Sequence, residues 1–121
     1  MAYHDPIYTT NTLKAQSIAT AATMLSVVGP RGKVGRLESV SAVVTTGTTD
    51  AATELRVGTA ADADKFGTLS VPVATAGNGY NNATIANIDT NPMPANDVVL
   101  IATDGGCTAG AADISVTIAW Y

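Results

Sequence analysis

Charged residues are few in this chain: Asp, Glu, Lys and Arg make up 13% of its 121 residues, about half the usual share. Ionic networks therefore cannot be the main support of the fold, and its polar faces must be built from hydroxyls and amides. Six cations against ten acids leave a formal net charge of −4. That balance excludes a general phosphate-neutralising surface, so no nucleic-acid partner is expected. The single cysteine, Cys107, excludes an intramolecular disulfide and a cysteine-based zinc site of the usual kind. The single histidine, His4, lies close to the start of the sequence. A Ser-His-Asp or Cys-His arrangement would need that segment folded into a site. Aromatic residues amount to 5%, too few for a platform that stacks sugar rings. The longest apolar run, residues 98–102, is far below the ~20 residues of a spanning helix. The opening Met1-Ala2-Tyr3-His4-Asp5-Pro6 lacks the basic and apolar regions of a signal peptide. The expectation is a protein made in a cytoplasm, with no membrane partner, no cofactor, no metal and no catalytic residues.

What the chain does have is period two. Over residues 112–121, Ala112, Ile114, Val116, Ile118 and Trp120 fall on one face, and Asp113, Ser115 and Thr117 on the other. This is the pattern of a half-buried strand. It runs to the last residue, which predicts one compact domain closed within its own sheet. The length suits a single core.

Punctuated strand-like segments precede it. Ala22 to Val28 ends at Gly29-Pro30-Arg31-Gly32. Val34 to Thr46 carries Val40, Ala42 and Val44 on one face, while Leu37 falls out of register and predicts a bulge near Glu38-Ser39. Thr53 to Gly58 points Leu55 and Val57 inward. Residues 66–74 point Leu69, Val71 and Val73 inward, with Pro72 marking an edge or a bulge. Residues 83–89 are weaker, and Val98 to Thr103 follows, with Val98-Val99-Leu100-Ile101 apolar on both faces. Residues 1–17 have no apolar periodicity and read as an extended N-terminal arm on a domain of residues 18–121. A helix over Thr12 to Leu25 is the rival reading, opposed by the threonine density. About seven strands, roughly 10 to 15 residues apart and without a long helix, predict an all-β, antiparallel β-sandwich, jelly-roll-like in type.

Few motifs carry chemistry. Asp62 and Asp64 stand two apart in Gly58-Thr59-Ala60-Ala61-Asp62-Ala63-Asp64-Lys65. Acid–base pairing or calcium binding is conceivable there, but the loop lacks a ligand-rich series, and turn chemistry is the simpler reading. Asn78-Gly79-Tyr80-Asn81-Asn82 is a polar loop with one aromatic residue. The one basic cluster is Arg31, Lys33 and Arg36 in Gly29-Pro30-Arg31-Gly32-Lys33-Val34-Gly35-Arg36. Its Gly-Lys is followed by Val and lacks the glycine spacing of a phosphate-binding loop. It reads as a glycine-rich turn with solvated charges or as a patch for an acidic partner surface. Low charge and the two-sided run at Val99 and Ile101 suggest self-association, as a trimer first and a dimer second.

Three stretches together look familiar: residues 18–33 with Val27-Val28-Gly29-Pro30-Arg31-Gly32-Lys33, then Leu55-Arg56-Val57-Gly58-Thr59-Ala60-Ala61-Asp62-Ala63-Asp64, then Asp104-Gly105-Gly106-Cys107-Thr108-Ala109-Gly110 before the final strand. Their order resembles small β-sandwich structural proteins of tailed bacteriophages, in particular the capsid decoration (cement) proteins. The resemblance covers most of residues 18–121 and not the arm. It implies a virion protein on the outer capsid surface, made in the host cytoplasm, with the major capsid protein as partner, and it brings no catalytic residues. On that reading Arg31, Lys33 and Arg36 would dock on the capsid, and Val99 and Ile101 would serve homo-oligomer contacts. A tail or head–tail component and a carbohydrate-binding sandwich module are the rival classes.

Overall fold

A computed structural model describes residues 5–47, 51–73, 75–86, 91–94 and 97–121. The described residues are all-β, in ten strands. These are β1 (Ile7–Ser17), β2 (Ala22–Val28), β3 (Val34–Thr46), β4 (Thr53–Gly58), β5 (Gly67–Val71), β6 (Gly79–Tyr80), β7 (Thr84–Ile85), β8 (Met93–Pro94), β9 (Val98–Thr103) and β10 (Ala111–Trp120). They form two antiparallel sheets of five strands. The first runs β1-β10-β3-β6 with β8 also on β3, and the second runs β2-β9-β4-β5-β7.

The inner faces meet in one core, as a sandwich requires. The first sheet supplies Leu37, Val40, Ala42, Val44, Ile114, Val116, Ile118 and Trp120, and the second supplies Leu55, Val57, Leu69, Val71, Val99 and Ile101. The bulge expected beside Glu38 is present: Ser39 pairs with Thr117 and Leu37 with Ile118, leaving Glu38 as the extra residue. That slip returns Leu37 to the core face, which strict alternation would have denied it.

Three expectations need correction. Among the described residues the strands number ten: β1, β6 and β8 are added to the seven expected, and the weak segment 83–89 is reduced to β7, with β6, β7 and β8 two-residue pairings too short to show a period. Val73, expected inside, is 56% exposed. The strand before it stops at Val71, since Pro72 has no N–H for the ladder and turns the chain out. Residues 7–17, expected as an arm, are extended but paired: Ile7 to Ser17 run antiparallel along β10 from Trp120 to Ala111. The missing periodicity has a physical cause. β1 is an edge strand with no fully buried residue, so neither of its faces demands apolar side chains.

Candidate docking end of the sandwich

The loop from β2 to β3 joins the two sheets and carries the basic residues. Val28 pairs with Val98 at one limit of the second sheet, and Val34 is bonded to Tyr121 at the matching limit of the first. Between them the Lys33 N–H donates to the Pro30 carbonyl at 3.2 Å, and Gly32 sits at φ 76°. That is a tight turn with the left-handed residue third, where glycine carries no steric penalty.

The root of this turn is fixed by Trp120. The indole is fully buried, and its Nε1–H donates to Thr9 Oγ1 at 3.0 Å. A side chain at Gly35 would lie 2.6 Å from Cζ3 of the ring, and Gly29 faces the same ring. Both glycines therefore leave the space that the indole fills. The basic turn stands on a packed base, with Arg31 exposed and Lys33 half-buried.

The three cations are not equivalent. Arg36 projects from the outer face of β3 opposite Ala119, and its Nε lies 3.9 Å from Glu38 Oε1. Among the described residues no ion pair engages Arg31 or Lys33.

Exposed apolar residues gather at this same end. Val28 (60% exposed) and Val98 (47%) face each other across a cross-strand pair. Val34 begins β3, and Ile7 (48%) and Tyr8 (61%) lie opposite Trp120 and Ala119. Five of the eight large apolar residues exposed among the described ones thus rim the basic turn. Their strand positions, rather than any sequence periodicity, place them at one end of the two sheets.

The other sequence candidates fall elsewhere. Val99 and Ile101 are 1% exposed and point into the chain's own core. In this conformation they cannot form a self-association surface. The outward residues of β9 are Val98, Leu100 and Ala102. Asp62 and Asp64 occupy a loop folded back over Gly58, where a Cβ would lie 2.2 Å from the Asp62 carbonyl oxygen. The Thr59 N–H donates to that oxygen at 2.8 Å, and the Asp62 N–H donates to Thr59 Oγ1 at 3.2 Å. This is local turn bonding, and among the described residues no group of three His, Cys, Asp or Glu could hold a metal ion. Tyr80 is half-buried against the core, opposite Ala42, and does not stand out as a stacking ring. Cys107 is buried. His4 lies outside the described residues.

One polar cluster escaped the sequence reading, at the opposite end of the sandwich. Thr53 and Thr103 are buried side by side, their hydroxyls 3.3 Å apart. The Thr103 hydroxyl donates to the Ile18 carbonyl at 3.2 Å, and the Thr53 hydroxyl to Asp104 Oδ1 at 2.9 Å. Asp104 Oδ1 also accepts from the Glu54 and Gly106 N–H groups, and Arg56 Nη2 lies 3.6 Å from Oδ2. Partial burial works to raise the Asp104 pKa, but these donors and the guanidinium outweigh it and hold the carboxyl below its usual range. The cluster closes the core where Ile18 crosses from one sheet to the other. Thr103-Asp104-Gly105-Gly106, an acid and two glycines directly after a strand, is its sequence signal.

No family model, no curated protein and no solved structure matches the chain. The end just described is therefore read from its own chemistry.

Proposed function

We propose that this protein is a non-enzymatic virion structural protein. It is a capsid decoration protein that binds the major capsid protein on the outer surface of a phage head and stabilises the head by bridging capsomers. The body is a jelly-roll-like sandwich, since the chain passes from one sheet to the other at most connections. The observation that carries the reading is the basic turn rimmed by exposed apolar residues on a base fixed by Trp120. A positive turn on a protein of net charge −4 selects an acidic partner surface and orients the approach. The valines around it add area that leaves water on contact. Repetition over one shell makes modest contacts collectively strong.

The test uses purified heads. Wild-type protein is expected to bind them to a fixed stoichiometry and to raise the temperature at which they release their contents. The triple change Arg31→Ser, Lys33→Ser, Arg36→Ser is expected to lower occupancy and sharpen its loss with salt, with the melting temperature of the free protein unchanged. Full decoration by the triple variant at both low and high salt would show that the turn is only a solvated loop. Failure of wild-type protein to bind any head would remove the capsid reading altogether.

A further inference from the structure

We propose that the outer edge of β1 is a self-recognition surface, and that two copies join their first sheets edge to edge across a two-fold axis at Thr10. The inference does not rest on the capsid reading. It starts from unmet hydrogen-bonding groups. Along its length β1 has β10 on one side and, among the described residues, no strand on the other. Every second residue therefore presents its N–H and C=O outward.

Proteins commonly protect such edges with charge, proline or bulges. Here those devices stand at the two limits of the edge and not along it. Pro6 precedes the strand. At the far limit the pairing slips between Leu13 and Gln16, with Ala15 at φ 47°. There the Ala15 N–H donates to Asp113 Oδ1 at 2.7 Å, and Lys14 Nζ lies 3.7 Å from Asp113 Oδ2. Between these limits, Ile7-Tyr8-Thr9-Thr10-Asn11-Thr12-Leu13 carries no charge and no proline. The residues favour strands, and Ile7 and Tyr8 are exposed. The other long edge, β2, slips at Met24 and leaves a shorter regular stretch.

The occupant follows from the register. A two-fold axis normal to the sheet makes the pair antiparallel. One register uses all of residues 7–13 on both copies, and it sets Thr10 opposite Thr10. Ile7 then faces Leu13, Thr9 faces Asn11 and Tyr8 faces Thr12. The apolar residues meet each other on the core side, where Ile7 and Leu13 already pair with Trp120 and Ile114. On the outer side the hydroxyl row of Thr10 and Thr117, 3.0 Å apart within one copy, continues into the second copy. No like charges oppose each other, although both chains are acidic overall. The arrangement is a dimer and not the trimer expected from composition.

Sedimentation of the isolated protein is expected to show two chains. Thr10→Lys and Thr10→Asp each place like charges across the axis, and each is expected to sediment as one chain with its cooperative melt retained. An equimolar mixture of the two is expected to recover the two-chain species. Thr10→Cys is expected to oxidise to a covalent dimer. Tyr8→Cys is not, because residues 8 of the two copies lie four positions apart along the strands, roughly 13 Å, beyond disulfide reach. Thr10→Ser is expected to behave as wild type. A wild-type monomer at all accessible concentrations overturns the proposal. So does a trimer, an assembly untouched by Thr10→Lys, or Thr10→Cys that cross-links no better than Tyr8→Cys. The cysteine pair decides the matter even where a charged variant fails to fold.

Discussion

Gly29 faces the six-membered ring of Trp120 with no room for a side chain: a Cβ there would lie 2.2 Å from Cζ3 and 2.4 Å from Cη2. The indole is held from its other edge by Thr9, so it cannot swing away without losing that bond. Gly29→Ala is expected to cost about 1–3 kcal/mol, the range for overpacking a dense core. Chemical denaturation followed by the fluorescence of this single tryptophan measures it. Wild-type stability in Gly29→Ala would mean that the ring has an alternative seat.

Ala15 holds a backbone conformation that suits glycine. At φ 47° its methyl group sits in the left-handed region, at a penalty of roughly 1–2 kcal/mol. Glycine removes that penalty but loses about 0.5–1 kcal/mol through the freer unfolded chain. Ala15→Gly is therefore expected to raise stability by about 1 kcal/mol or less. Ala15→Val is expected to lower it, since branching at Cβ worsens the clash. Thermal melts of the three proteins rank them.

Asp104 ties the loop after β9 to the start of β4. Asp104→Ala strips the Glu54 N–H of its carboxylate acceptor, while the Thr53 hydroxyl keeps the Ile18 carbonyl at 3.1 Å. A buried polar group without a partner costs about 1–3 kcal/mol, and this partly buried N–H is expected to fall at the lower end. The pH dependence has a definite sign. The carboxyl's folded pKa lies below its unfolded one, so it adds stability above the unfolded value. That stability is lost as pH falls through the folded value, which is below about pH 4. Asp104→Asn retains a carbonyl acceptor but cannot titrate, so its melting temperature is expected to fall less steeply than wild type on the acid limb. Parallel acid limbs would assign the acid sensitivity to other carboxylates.

The sandwich was legible wherever one face of a strand is buried and the other wet. β3, β4 and β9 begin and end at the residues that period two indicates, and β2, an edge strand without a fully buried residue, was bounded by the glycine turn that follows it. The limits of legibility are physical. β1 is an edge strand without a buried face, so it left no pattern although it pairs with β10 on both sides of the slip at Lys14-Ala15. Val73 continued an alternation that Pro72 had already ended. Val98-Val99-Leu100-Ile101 read as two-sided, and only the packing shows that Val99 and Ile101 face inward while Val98 faces water. At the candidate site the basic turn was visible as composition. The rim of Ile7, Tyr8, Val28, Val34 and Val98 was not, because these residues come from four strands of two sheets that only the fold places at the same end of the sandwich.

That rim separates two contributions to docking. If the basic end contacts a capsid surface, charge and apolar area should respond differently to salt. Exposed ion pairs are individually worth only ~0–1 kcal/mol and are screened beyond ~8 Å at physiological ionic strength. Arg36 is already shared with Glu38, so Arg31 and Lys33 should carry most of the salt-sensitive part. Val28 and Val98 form one exposed cross-strand pair, and their burial should be nearly indifferent to moderate salt. The double change Val28→Ser, Val98→Ser is expected to weaken head binding by a similar factor at low and high salt. Arg31→Ser with Lys33→Ser is expected to weaken it mainly at low salt, where the wild-type advantage is largest. Val28, Val98 and Arg31 are exposed and Lys33 is half-buried with no ion pair among the described residues. Both double changes should therefore leave the free protein's melting temperature within a few degrees of wild type, consistent with the ±0.5 kcal/mol usual for surface changes. Binding isotherms on purified heads across a salt series separate the two behaviours. A valine pair without effect at any salt would leave the turn acting through charge alone. Identical salt slopes for wild type and the Arg31–Lys33 pair would remove the turn from the interface.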